Sequence, residues 1–167
     1  IHSIKDFILK SKTKSYFNYS SFLSHLGFGI LMFFIILNHN FSKEFDLNIK
    51  VGETKKIGDM EIKFKNLKIE KRENYNVIIG SFNIFDYKKN YEKKLNPEIR
   101  VYNNPQTLTF ESAIKTNLKR DLYLTMSNID GSDFYNVKFQ IKPFMLWIWF
   151  AAFLTASGGL LRTLRIK

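Results

Sequence analysis

Two uncharged apolar runs bracket a polar middle in this chain of 167 residues. The first, 20–37, reads SSFLSHLGFGILMFFIIL, and the second, 144–161, reads FMLWIWFAAFLTASGGLL. Eighteen residues at about 1.5 Å of helical rise reach roughly 27 Å, close to the ~30 Å apolar thickness of a bilayer. The pattern predicts membrane helices over 20–38 and 143–161. Between them, 39–142 has the texture of strands. Ile62 and Phe64 alternate with charged residues, 77–85 is a β-branched and aromatic run interrupted by Gly80, and 97–102 and 122–126 are shorter candidates. Residues 137–141 alternate cleanly, while 111–119 reads as one or two helical turns. Gly52, Gly58-Asp59, Asn103-Asn104-Pro105 and Asp130-Gly131 supply turns between these runs. The expected fold is a membrane protein of α+β type, with two transmembrane helices flanking a small all-β soluble domain, sandwich or barrel-like.

Charge sets the expected orientation. Residues 1–19 carry Lys5, Lys10, Lys12 and Lys14 against Asp6, and the tail 162–167 carries Arg162, Arg165 and Lys167. Short basic flanks stay on the side from which a membrane protein inserts, so both ends are expected on the matrix or cytoplasmic side with 39–142 projecting across. The formal charge of +11 invites a nucleic-acid reading. Composition argues against it: Phe, Tyr, Met, Ile, Asn and Lys make up half the chain, and these are the residues of AT-rich codons. An organelle genome is a natural source of such a sequence. The β segment itself has nineteen basic against fourteen acidic side chains. Lys88-Lys89 and Lys93-Lys94 beside Tyr87 and Tyr91 are read as a solvated hairpin end, and no nucleic-acid partner is expected. The first residue, Ile1, fits a non-standard start codon and a truncated fragment equally well, and no cleavable signal peptide is visible.

There is no cysteine, hence no disulfide framework, no thiolate metal site and no Cys-x-x-Cys-His haem attachment on this chain. No Ser-His-Asp, paired-carboxylate or glycine-rich phosphate motif appears, which argues against hydrolysis. The exceptional side chain is His25, ionisable within the first apolar run. Such a residue is costly in a membrane and marks a functional site by default. It serves either as a ligand, imidazole being a common axial ligand of haem iron, or as a hydrogen-bonding partner of a neighbouring helix. Ser21 and Gly29, one turn to either side, are small and leave room for a macrocycle or a close helix. His39 falls at the interface and is read as structural or solvent-facing, and His2 carries no argument. Trp147 and Trp149 suit an interfacial aromatic belt. Gly158 and Gly159 suit close helix approach, Pro143 the first helical turn, and Arg120-Asp121 a local ion pair or strand-edge contact.

Five blocks in order resemble one family. Lys142-Pro143-Phe144, Trp147-Ile148-Trp149 and Ser157-Gly158-Gly159-Leu160 look like the last membrane helix of the CcmF cytochrome c-type biogenesis family. Arg120-Asp121-Leu122-Tyr123 matches its Arg-Asp-Leu-Tyr. The stretch Thr109-Phe110-Glu111-Ser112-Ala113-Ile114 resembles its Thr-Glu-Ala-Ala-Ile, and Pro97-Glu98 with Arg100 and Tyr102 resembles its Pro-Glu-Lys-Arg-x-Tyr. His25-Leu26-Gly27 falls where the family has His-Leu-Gly in a membrane helix. Leu146 departs from the Arg that the family often has before Trp-Ile-Trp, which removes a basic contact near the membrane surface.

The resemblance covers the family's C-terminal portion and implies a fragment of a split organellar haem lyase component in the mitochondrial inner membrane, with termini in the matrix. It implies that His25 is one axial ligand of a b-type haem shared with another chain, and so a metal (haem iron) ligand. That haem would pass electrons from quinol to keep the transferred haem iron reduced. The implied partners are N-terminal fragments carrying the remaining helices and the second ligand, other maturation proteins, and apocytochrome c and haem as substrates. No complete catalytic set is expected on this chain, which would act as a non-autonomous subunit. Apocytochrome c is itself basic, so the overall charge gives no electrostatic attraction to it. The alternative is a non-catalytic structural subunit of a large inner-membrane respiratory complex that keeps the family fold.

Overall fold

The computed structural model describes residues 18–87 and 90–165. His2, Lys5, Asp6, Lys10, Lys12, Lys14, Lys88, Lys89 and Lys167, which carried some of the expectations above, lie outside them. Two compact units emerge, one from the helical residues up to 37 and from 146 onward, the other from 38–145.

The helical unit contains two helices, α1 (Tyr19–Phe41) and α2 (Met145–Arg165). Both are long and apolar enough to cross a membrane, with mean hydropathies of 2.0 and 1.3. Small side chains bring them together. Ser20 and Gly27 of α1 and Ala151 and Gly158 of α2 are buried. The Ser24 hydroxyl donates to the Thr155 carbonyl at 3.3 Å. A Cβ on Gly27 would stand 2.7 Å from both the Thr155 nitrogen and its Oγ1, and one on Gly158 only 2.6 Å from the Ser24 nitrogen. The absence of those Cβ atoms therefore lets the backbones approach. Further along, Phe34 stacks on Trp147 at 5.7 Å. Gly159 has open space around it and takes no part, so only the first glycine of the expected pair serves the contact.

The other unit is a β-sandwich. One sheet has the order β1 (Lys43–Ile49), β10 (Tyr135–Pro143), β9 (Arg120–Asn128), β8 (Ala113–Lys115). The other runs β2 (Thr54–Ile57), β3 (Met60–Lys71), β4 (Tyr75–Asp86), β6 (Glu98–Asn103), β7 (Gln106–Glu111), with β5 (Tyr91–Leu95) paired beside the far half of β4. All the pairings are antiparallel. Alternation turns Leu122, Leu124, Met126, Val137 and Phe139 of one sheet toward Ile62, Phe64, Phe82 and Ile84 of the other, all at most 1% exposed. Phe64 stacks on Phe82 at 4.2 Å and meets Tyr135 edge-on at 5.6 Å. Gly80 stands where a Cβ would meet Phe82 at 2.7 Å and Met126 at 2.8 Å, so it admits the methionine of the facing sheet.

The turns form where glycine permits them. Gly58, at φ +56°, opens the two-residue loop between Ile57 and Met60. The Asn104–Pro105 bond, between Asn103 and Gln106, is cis.

Two expectations need correction. Residues 111–119 hold no helical turn: the chain crosses from one sheet to the other at Ser112, whose hydroxyl lies 2.7 Å from that of Thr125, and 113–115 form β8. Pro143 does not begin the second helix. It ends β10 opposite Arg120, where a missing N–H costs little, and Phe144 turns the chain at φ +62° before α2 starts at Met145.

Candidate functional site

His25 lies on α1, and the contact with α2 fixes which way it faces. The residues that meet α2 recur at Ser20, Ser24 and Gly27, a spacing of four and three that keeps one helix face toward its partner. At about 100° per residue His25 is turned roughly 130° from the centre of that face. The side chain is accordingly exposed and has no hydrogen-bond partner among the described residues. Gly29, one turn further on, has nothing within 4 Å of where its Cβ would be. The small residues of α1 thus form two separate faces. The one with Ser20, Ser24 and Gly27 packs against α2, and the one with Ser21, His25 and Gly29 is left open.

The reading of His25 as a hydrogen-bonding partner of a neighbouring helix has no support from α2. An open imidazole beside a glycine fits a flat ligand approaching from outside this chain. No group of three or more His, Asp or Glu among the described residues is arranged to hold a metal ion. His39 is exposed in the last turn of α1, and Trp149 is 68% exposed on α2.

The β unit has its own charged focus. Alternation along β9 turns Arg120 inward with Leu122, Leu124 and Met126, and it turns Asp121 and Tyr123 to the sheet's other face, where Asp121 is still buried. Arg120 therefore does not pair with its neighbour Asp121. It crosses to the other sheet, where Nη2 donates to Asp86 Oδ2 at 2.5 Å and to the Tyr91 hydroxyl at 2.9 Å. Asp86 and Tyr91 face each other across the β4–β5 hairpin, so one guanidinium joins the sheets and braces that hairpin. The side chains of Arg120 and Asp86 are 15% and 4% exposed. Burial works against the arginine's charge, but its bonds to Tyr91 and Asp86 outweigh burial and hold its pKa above the ordinary value. The pair borders a cleft of about 460 Å³ walled by Phe45, Met60, Ile141 and Phe144. Asp86 was not singled out in the sequence, and Tyr91 was read only as part of a solvated hairpin end, whereas its hydroxyl accepts from Arg120. The signal available was an arginine at an inward position of a regular alternation, which demands a partner from the facing sheet.

The Pro-Glu-x-Arg-x-Tyr block has an equally local explanation. Glu98, Arg100 and Tyr102 lie on one face of β6, where Arg100 is held by Glu98 at 2.8 Å and sits over the Tyr75 ring at 5.4 Å. They cover Val77, which is fully buried on that side.

Comparison with known proteins agrees with this architecture. A family model described as the CcmF C-terminal beta-sandwich matches residues 40–143. The "Cytochrome c-type biogenesis protein CcmF" of Pseudomonas aeruginosa is 30% identical over 155 residues, which is 93% of this chain and 23% of that protein. The protein of the same name from Haemophilus influenzae is 35% identical over 141 residues, 83% of this chain and 21% of its own length. The one from Escherichia coli is 29% identical over 150 residues, 89% of this chain and 23% of that one. A solved structure, "Cytochrome c Heme Lyase CcmF", superposes with a TM-score of 0.64 over 92% of this chain and 27% of that one; at 13% identity it speaks for the fold. The chain belongs to the CcmF family and carries its C-terminal β-sandwich between two apolar helices. It spans between a fifth and a quarter of the length of these relatives.

Proposed function

We propose that this chain is the C-terminal part of a CcmF-type haem lyase in cytochrome c maturation, and that His25 supplies one axial ligand to a membrane-embedded b-type haem. The second ligand and the remaining helices belong to another polypeptide. Apocytochrome c and haem are substrates of the assembled complex, in which other maturation proteins take part. Its place is the mitochondrial inner membrane, with both termini in the matrix and the sandwich in the intermembrane space.

The observation that carries the reading is the orientation of His25. The imidazole stands on the face of α1 that α2 leaves open, next to the uncovered Gly29. A haem held there supplies one-electron transfer, keeping the iron of the transferred haem reduced while thioether bonds form. The chain's own contribution is to hold the imidazole at a fixed height and rotation through the seam of Ser20, Ser24, Gly27, Thr155 and Gly158. The family membership and the relatives' names support the maturation role. The AT-rich composition supports the organellar setting.

The test is a reduced-minus-oxidised spectrum of the purified complex. His25→Ala is expected to lose the b-type bands, to regain part of them on addition of free imidazole, and to lower cytochrome c levels. An unchanged spectrum with normal cytochrome c would overturn the ligand assignment. A wild-type complex without b-type bands would favour the non-catalytic structural role.

A further inference from the structure

The sandwich has several strand edges, and among the described residues all but one carry lysine, the usual blunting charge. The short β2 carries Lys55 and Lys56, β5 carries Lys93 and Lys94, β1 carries Lys43, Glu44 and Asp46, and the three-residue β8 carries Lys115. Strand β7 differs. It closes one side of its sheet, pairs only with β6, and reads QTLTFE, with no lysine or arginine in a chain whose formal charge is +11. Among the described residues its backbone makes no hydrogen bond other than those to β6. Six residues of unpaired edge are a template for one more strand.

The side chains specify what that strand should carry. Ile69, Ile78, Ile99 and Phe110 form one continuous row across β3, β4, β6 and β7. Ile99 within the row is 1% exposed, but Phe110 at its end is 44% exposed and Leu108, two residues before it, is 47% exposed. An added strand with apolar residues at alternate positions would extend this row and cover both. On the other face Glu111 lies opposite Glu98, and Arg100 is the cation between them, at 2.8 Å from Glu98 and 3.8 Å from Glu111. Two carboxylates beside one arginine leave this edge acidic, which suits a basic side chain on the incoming strand.

We propose that β7 accepts, as an added strand, an extended basic segment of the haem-free cytochrome polypeptide, with apolar side chains at alternate positions. The partner's identity rests on the maturation role proposed above; the strand-accepting edge does not. A chain that has not yet received its haem is unfolded and can present such a segment.

The chain has no cysteine, so single probes can be placed cleanly. The full chain in its detergent-solubilised complex is labelled with an environment-sensitive fluorophore at Gln106→Cys on β7, or at Thr54→Cys on β2 as control. It is titrated with cysteine-blocked haem-free cytochrome c and with a nine-residue peptide alternating valine with lysine and threonine. Both ligands should give a saturable signal at position 106 and none at 54. Leu108→Lys/Phe110→Lys should weaken binding about tenfold, and Glu111→Lys should weaken it and flatten its salt dependence. If the double variant fails to fold, Thr107→Lys on the outer face serves in its place. Equal affinity in folded variants, or equal response at position 54, overturns the edge assignment. Binding of the peptide without binding of the haem-free cytochrome overturns the partner. The His25→Ala complex should bind as wild type does, so loss of the haem reading leaves this measurement interpretable.

Discussion

Replacing Arg120 by methionine tests whether the two sheets are held together at the charged focus. The substitution keeps a long side chain in the space but removes the cation from Asp86, whose side chain is only 4% exposed, and from the Tyr91 hydroxyl. Removing one partner of a buried ion pair costs about 3–5 kcal/mol because the remaining charge has lost its counter-ion in a poor solvent. The low end, about 3 kcal/mol, applies here because Asp86 keeps a further contact. In a unit of this size that corresponds to a fall of roughly 12 °C in melting temperature. The loss should be largest where the guanidinium acts, in β5 and the end of β4, and should appear there as faster amide exchange measured by mass spectrometry on the full chain. The double variant Arg120→Met/Asp86→Leu removes both charges and should recover most of the loss, to within about 1 kcal/mol of wild type. A single variant that melts within a degree or two of wild type, or a double variant no better than the single, would refute the argument.

Three further tests concern the packing of two glycines and the burial of one phenol. Gly158→Val should push α1 and α2 apart, seen as a change in tryptophan fluorescence when Trp147 leaves Phe34, whereas Gly159→Val, which has open space, should leave the signal unchanged. Gly80→Ala should cost about 1–3 kcal/mol by crowding Phe82 and Met126, and Met126→Ala in the same chain should relieve part of that cost; denaturant melts of the two give the comparison. Burial first, and then the charge and hydrogen bond of Asp121, raise the Tyr123 phenol above its ordinary 10.0. The unfolded chain therefore ionises first, so this contribution is intact below pH 10 and is lost as pH rises through the folded value. Tyr123→Phe should lose less stability than wild type between pH 9 and 11, and equal slopes would contradict the assignment.

Much of the sandwich was legible because its core residues alternate. Residues 122–126 and 137–141 read as strands from period alone, and they are the buried centre of β9 and β10. The glycines also announced themselves: Gly52, Gly58 and Gly131 all take positive φ. The pattern fails where geometry resets it. In β3 the register shifts between Phe64 and Asn66, so the core-facing positions run Ile62, Phe64 and then Leu67, while Ile69 beyond them is 75% exposed. The odd step from 64 to 67 hides a long strand. In 111–119, strands on either side of Ser112 belong to different sheets, and the corner between them gives apolar spacings that imitate a helical turn.

The site was half legible. An uncharged run with one histidine can be read directly. The two faces of small residues on α1 cannot be told apart without the partner helix, and Asp86 is brought to Arg120 only by the sandwich closing.

Under the proposed division of the protein between this chain and a second polypeptide, the seam between α1 and α2 also bears on assembly. Two helices that recognise each other within one polypeptide meet by an intramolecular search at high effective concentration, independent of how scarce the second polypeptide is. The hairpin can therefore settle its internal geometry before any encounter. What remains for the encounter is docking of one preformed body, which loses less orientational freedom than gathering two separate helices would. A weakened seam should show itself first as a steeper dependence of assembly on subunit concentration, before any mature complex is visibly altered.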